Sequence, residues 1–198
     1  MNRTAILSSF FKATQPYYTL EPGTIAAMEK LIRLKEVPAG THYLQAGEAP
    51  VFISYIYQGL FSYYHQFENG DTVIKKFFAE NSFMASTSAL VLQTGSKYSI
   101  EALEKSIVAE FSFREFKHLM HKHQDLAFFW ISYLETNWVA GKEDSEITHK
   151  YLTAQARYQH FLLTEPHIAR RLQQQQIAAY LGITPTQLSR IKKAIPKK

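Results

Sequence analysis

Residues 174–193 read QQQIAAYLGITPTQLSRIKK, and this order of residue types dictates two short helices crossing at a tight turn. Ile177 and Leu181 lie four apart on one face, and Ala178 is small enough for a second helix to cross close by. Gly182 supplies the left-handed residue that ends the first helix. Thr184 then offers its hydroxyl to an orphan backbone N–H, and Pro185 takes the first helical position, where its missing N–H does no harm. Leu188 and Ile191 bury the inner face of the second helix, leaving Thr186, Gln187, Ser189, Arg190 and Lys193 outward. A short helix of this kind, polar and basic on its outer face, is what a helix-turn-helix inserts into the DNA major groove. Side-chain chemistry assigns roles within it. Arg190 forks onto guanine O6 and N7, Gln187 and Ser189 reach a base edge or a phosphate, and Thr184, Thr186, Lys192 and Lys193 hold phosphates. The competing reading is a helical hairpin that packs and does nothing else.

Charge is distributed in the same sense. From residue 151 onward there are eight Lys or Arg against Glu165 alone, a balance of +7, whereas residues 1–150 carry −2 within a chain of net +5. A basic end on a near-neutral body suits a polyanion, although a basic tail that only aids solubility has the same composition. Apolar residues make up 46% of the 198, which is the composition of a folded protein. The absence of cysteine excludes disulfides, Cys-ligated zinc or iron-sulfur clusters and thiol redox sensing. No apolar run is long enough to span a membrane, and Met1 to Lys12 lack an export signal, so the expected location is cytoplasmic, with no membrane partner.

Upstream, the spacing predicts a helix over Thr4 to Lys12 and another after Pro22, with Ile25, Met28, Leu31, Ile32 and Leu34 on its apolar face. From Val37 to about Phe113 the pattern becomes β. Short strands are expected at Phe52 to Tyr57, Leu60 to Phe67, Thr72 to Phe78, Ser99 to Leu103 and Ser106 to Phe111, with a hairpin turn at Asn69-Gly70. Many short strands with frequent turns favour a closed roll. The aromatics Tyr55, Tyr57, Phe61, Tyr63, Tyr64, Phe77 and Phe78 fill such a roll or line a pocket in it. After Phe113 the period is helical again. Leu126, Trp130, Tyr133, Leu134 and Asn137, followed by Trp138, form a stripe that either seats a second copy of the chain or packs on the β region.

The whole order of parts resembles the CRP/FNR superfamily of bacterial transcription regulators. The likeness is carried by Val37-Pro38-Ala39-Gly40, Gln45-Ala46-Gly47-Glu48, Tyr55-Ile56-Tyr57-Gln58-Gly59-Leu60, the long helix, Leu152 to Leu162 and the helix-turn-helix. It implies an α+β fold: an N-terminal jelly roll (a double-stranded β-helix) with flanking helices, a long dimerisation helix and a C-terminal helix-turn-helix domain. The expected domains are a cyclic-nucleotide-binding-like sensor at 1–123, a dimer helix at 124–150 and a DNA-binding domain at 151–198. The implied partners are double-stranded DNA with a two-fold symmetric site, a second copy of the chain, and RNA polymerase.

The chain also departs from that pattern. Family members that bind cyclic nucleotide carry Phe-Gly-Glu-Leu and a later Arg-Ser or Arg-Thr. Here the stretch is Phe83-Met84-Ala85-Ser86, and the later segment offers Ser96 and Lys97. Loss of the glutamate and of the arginine fork argues against a cyclic nucleotide. It leaves another small ligand at these six residues, no ligand, or a cyclic-nucleotide-responsive protein with an atypical cassette. Only Thr164 to Gln173 precede the helix-turn-helix, too short for a full β-hairpin wing, and Arg170 and Arg171 stand there as replacement phosphate contacts or as solvated arginines. An enzyme of the cupin kind is the rival from another class, yet His42 and His65 lack paired neighbours in the β region and His118, His121 and His123 lie on a polar helix. No metal site, catalytic residues or cofactor are expected. A basic module that binds an acidic partner is the third reading.

Overall fold

Local capping sets the two N-terminal helices. In the computed structural model, which describes residues 1–141 and 151–195, α1 (Arg3–Thr14) begins where Asn2 Oδ1 accepts the Ala5 N–H at 3.2 Å. Helix α2 (Pro22–Leu31) has Pro22 in its first turn. It ends earlier than the periodicity suggests, because Leu34 belongs to a strand, β1 (Arg33–Val37), and pairs with Ala109. The ladder overrides the local helical pattern there.

The remaining strands are β2 (His42–Leu44), β3 (Phe52–Gln58), β4 (Phe61–Gln66), β5 (Thr72–Phe78), β6 (Phe83–Met84), β7 (Ser99–Ala102) and β8 (Ser106–Ser112). They pair antiparallel into two four-stranded sheets, β1-β8-β3-β6 and β2-β7-β4-β5. The expected roll is therefore present. The five expected strands sit within a residue or two of their expected bounds, whereas β1 begins in a stretch read as helical, and β2, β6 and the short α3 (Thr87–Leu92) come from stretches with no clear strand or helix period.

Val37, Ile56, Phe61, Tyr63, Met84, Ile100 and Val108 fill the space between the sheets. A second core lies where α1, α2 and the later helices cover β3 and β8. Phe10 meets Tyr55, Phe83 and Phe111 edge-on there, with centroids 5.4, 5.4 and 5.9 Å away. Between β3 and β4, Gly59 has φ +118°, and a Cβ there would lie 1.9 Å from Ser106 Oγ.

After β8 the chain forms α4 (Phe113–Met120), α5 (Gln124–Leu134) and a π-helical turn (Glu135–Ala140). Helix α4 is capped by Ser112, which accepts the Glu115 N–H. Asp125 anchors the start of α5 to α2 by accepting the Glu21 N–H and the Thr24 hydroxyl, each at 2.8 Å. Burial works against its charge, but these bonds outweigh it and lower its pKa below the usual carboxylate value.

The apolar stripe of this helix corrects the expected dimer contacts. Leu126 and Tyr133 are buried and Trp130 half-buried in the protomer's own core, and Trp130 packs on Phe116 at 5.4 Å. Asn137 donates to Tyr17 Oη and to the Tyr133 carbonyl, both at 3.0 Å. Leu134 is half-buried. The outward apolar residues are instead Phe128, Ile131, Trp138 and Val139. Residues 142–150, the end of the expected dimer helix, lie outside the described residues.

The C-terminal part comprises α6 (Ala154–Thr164), α7 (Pro166–Ala169), α8 (Gln174–Leu181) and α9 (Pro185–Ala194). Among the described residues no strand follows β8, so α7 stands where a wing would be. This helical unit shares an apolar seam with the roll. Leu60, Ile74 and Phe77 pack with Phe161, Ile168, Ile177, Ala178 and Leu181.

Substituting Gly59→Ala should destabilise the chain by about 3 kcal/mol through combined left-handed strain and overlap with β8. Denaturant unfolding would measure this, and an unchanged midpoint would mean that the β3–β4 turn relaxes without cost.

Candidate nucleic-acid interface

Two capping boxes and one glycine shape the helix-turn-helix. The Gln173 N–H donates to Gln176 Oε1 at 2.8 Å at the start of α8. Gly182, at φ +65° and ψ +36°, turns the chain. Thr184 Oγ1 then accepts the Gln187 N–H at 3.2 Å while Gln187 Oε1 accepts the Thr184 N–H at 2.9 Å, opening α9 reciprocally. Gln174 Nε2 donates to the Pro185 carbonyl at 3.0 Å, tying the helices across the turn. Leu188 and Ala178 are fully buried against Ile177 and Leu181, as the spacing requires. Arg157 donates to the Leu152 and Leu181 carbonyls at 2.8 and 3.0 Å, fastening α6 to the negative end of α8.

The structure brings most of the expected DNA-facing residues onto one helix. Thr184, Thr186, Gln187, Arg190, Lys192 and Lys193 are exposed, and Ser189 is half-buried. Gln187 has two duties, since its Oε1 closes the cap. Lys192 Nζ lies 6.0 Å from the centre of the Tyr158 ring. No acid stands in the first turn of α9, and Lys192 and Lys193 occupy its last turn.

Arg170 is exposed near α7, but Arg171 is not available as a phosphate contact. Its Nη1 and Nη2 donate to Glu80 at 2.8 and 3.0 Å, its Nε donates to Glu104 Oε1 at 3.0 Å, and Nη2 also meets Glu104 Oε2. Hydrogen bonds to Glu104 and then Glu80 raise the Arg171 pKa, and Arg171 lowers that of Glu80 against the opposing cost of burial. Reading the sequence missed this because the two glutamates lie 91 and 67 residues away in loops that have no common period.

The expected effector residues are gathered around the inside of the roll, but as a filled network. Phe83, Met84, Ser86 and Ser96 are buried. Tyr63 Oη lies 2.9 Å from Ser86 Oγ, which lies 2.8 Å from Ser96 Oγ, and Ser96 donates to the Tyr98 carbonyl at 2.6 Å. The Tyr63 and Tyr98 rings pack 4.7 Å apart. Burial raises the Tyr63 pKa and keeps the hydroxyl protonated. Lys97 is exposed, and its carbonyl accepts His65 Nδ1–H at 2.7 Å. Ala85 and Ser86 also border a rim cavity of about 230 Å³ lined by Lys35, Tyr43, Glu48 and Phe52 among others. Its cation, Lys35, lies 4.0 Å from Glu110 Oε2, which accepts the Tyr43 hydroxyl at 2.7 Å. Burial raises the Tyr43 pKa as well.

Of the aromatics that could have lined a pocket, Tyr55, Phe61, Tyr63, Phe77 and Phe78 are core, while Tyr57 and Tyr64 are half-buried. Among the described residues no three His, Cys, Asp or Glu gather as metal ligands, and no helix is long and apolar enough to cross a membrane.

The comparisons agree with this architecture. Residues 34–123 match the family model of the cyclic nucleotide-binding domain. No curated protein sequence matches the chain. Among solved structures, FixK2 from Bradyrhizobium japonicum is similar with a TM-score of 0.70 at 16% identity, over 82% of this chain and 83% of that one. The c-di-GMP responsive global regulator CLP of Xanthomonas campestris gives 0.67 at 15% identity, over 87% and 90%. A transcriptional regulator of the crp/fnr family from Eubacterium rectale gives 0.67 at 15% identity, over 88% and 82%. The fold is thus that of CRP/FNR-type regulators, with a roll of the cyclic nucleotide-binding type followed by a helix-turn-helix.

Replacing the cap hydroxyl by Thr184→Ala should weaken the first turn of α9 by about 1 kcal/mol, or roughly fivefold faster exchange of the Gln187 amide. Hydrogen exchange would measure it, and an unchanged rate would show that the cap does not hold the helix start.

Proposed function

We propose that this chain is a sequence-specific DNA-binding transcription regulator that works as a cytoplasmic homodimer and performs no chemistry. The observation that carries the reading is α9, a helix capped at both of its cap partners, anchored by a fully buried Leu188, and presenting Thr186, Gln187 and Arg190 outward with no acid beside them. A helix fixed by its inner face can place one side chain against one base edge, which a merely basic tail cannot. In this reading Arg190 forks onto guanine, Gln187 and Ser189 meet base edges or phosphates, and Thr184, Thr186, Lys192, Lys193 and Arg170 hold the backbone.

The second copy docks through the outer face of α5 and the turn that follows. Phe128, Ile131, Trp138 and Val139 are 40% to 61% exposed, and four large apolar side chains in one surface stripe are a partner-binding surface in a helix otherwise sunk into its own core. Two-fold symmetry then sets two α9 helices against successive major grooves. RNA polymerase is the further partner that a regulator of this fold would meet.

The roll takes no cyclic nucleotide. Ala85 stands where a glutamate would hold the ribose, Lys97 offers a point charge in place of the arginine fork, and the Tyr63–Ser86–Ser96 hydroxyls satisfy one another. Another small ligand at Phe83 to Ser86, or no ligand, remains for the sensor. Cyclic AMP and cyclic GMP at millimolar concentration are expected to leave the melting temperature unchanged, and a saturable rise would contradict this account of the roll.

Selection from random duplex DNA at near-physiological salt tests the function itself. A two-fold symmetric motif is expected, and binding without preference would overturn the reading. Arg190→Ala should relax preference at one base of each half-site and cost about 1 to 3 kcal/mol in affinity. Ile131→Glu with Trp138→Glu should convert the dimer to a monomer in sedimentation, and a dimer that persists would place the interface elsewhere.

A further inference from the structure

Two acidic loops of the roll close on one arginine of the helical unit. Glu80 follows β5, and Glu104 stands between β7 and β8. Arg171 lies between α7 and α8, directly ahead of the helix-turn-helix. Its planar fork meets both carboxylates with its Nε, Nη1 and Nη2. Glu80 is set in place independently, since its Oε1 accepts the Gly59 N–H at 2.8 Å, and Gly59 is held against Ser106 by its close approach to β8.

The three side chains are only 26%, 32% and 38% exposed. An isolated surface pair would hold little, but a bidentate guanidinium between two carboxylates has directional bonds that a point charge cannot supply. Without Arg171 the two acids would face each other across the gap.

The clamp stands at the edge of the apolar seam between the two units. Phe77 packs on Tyr180 at 5.3 Å and on Phe161 at 6.4 Å, and Leu60 is fully buried beneath them. An apolar seam resists separation, and directional bonds at its edge define the angle between the two units more sharply than burial alone. The fork fixes the direction. We infer that Arg171, Glu80 and Glu104 are positioning residues that set the orientation of the helix-turn-helix on the roll, and with it the angle at which α9 meets DNA. The inference about DNA rests on the regulator reading, whereas the orientation itself does not.

The chain has no cysteine, so Thr94→Cys on the roll and Gln175→Cys on α8, both exposed, accept a pair of spin labels cleanly. Diluted into excess unlabelled chain, the pair reports distances within one protomer. The expected result is one narrow distribution that broadens in Arg171→Ala and broadens likewise in Glu80→Gln with Glu104→Gln, while circular dichroism stays native. Unchanged distributions in both variants would overturn the inference.

A second arm uses the duplex selected by the wild-type chain. As positioning residues, both variants should lose affinity together, by about tenfold or 1.4 kcal/mol, with the same salt dependence as the wild type. If Arg171 instead gripped a phosphate, Arg171→Ala alone would lower the salt slope by about one, and removing the acids would preserve or strengthen binding, which would also overturn the inference. Should the wild-type chain select no sequence, the regulator reading falls and the label distances still decide the clamp.

Discussion

The apolar seam between β5 and α8 is the contact on which the arrangement of the molecule depends. Ile74 and Phe77 leave the roll to join Phe161, Ile177, Ala178 and Leu181 in one buried cluster, and Leu188 of α9 is sealed into the same cluster. The inner face of α9 is therefore continuous with the β5 edge of the roll. A displacement of the β4–β5 hairpin would be felt at α9 through close-packed side chains, which transmit shifts because the interior has few voids to absorb them.

The roll and the helical unit dispose of their polar groups in opposite ways. In the roll, polar groups that would face a nucleotide phosphate are satisfied by one another, since Tyr63, Ser86 and Ser96 form a closed chain of hydroxyls ending on a backbone carbonyl. Buried hydroxyls without partners would be costly, and this network removes that cost without a ligand. In the helical unit, by contrast, the polar groups of α9 point outward to solvent. The first arrangement stabilises the protomer, and the second leaves unfilled bonding capacity for a partner.

Much of this was legible in the sequence where local signals and tertiary packing agree. Gly182, Thr184, Pro185 and Leu188 each act over a few residues, so the helix-turn-helix could be read residue by residue, and Asn69-Gly70 fixed its hairpin in the same way. Short pieces stabilised by distant partners were not legible: β1 exists because Leu34 meets Ala109, and α3 has too few residues to show a period. The stripe on α5 was recognised with two possible partners, and Leu126 and Tyr133 meet the protomer's own core. That helix is apolar on two faces, and only the packing of Phe10, Phe83 and Phe116 reveals that Leu126, Trp130 and Tyr133 are the inner one. The partners of Arg171 were missed for a related reason, since a basic pair beside a helix-turn-helix looks like a phosphate contact until the distant Glu80 and Glu104 are seen beside it.

The proposed function requires two protomers to present α9 to one duplex symmetrically. Hydroxyl-radical footprinting of the full chain on its preferred duplex tests this most directly. The account predicts two protected windows on one side of the duplex, with centres about one helical turn, or roughly 34 to 36 Å, apart. A single window, or uniform protection that does not depend on sequence, would contradict it.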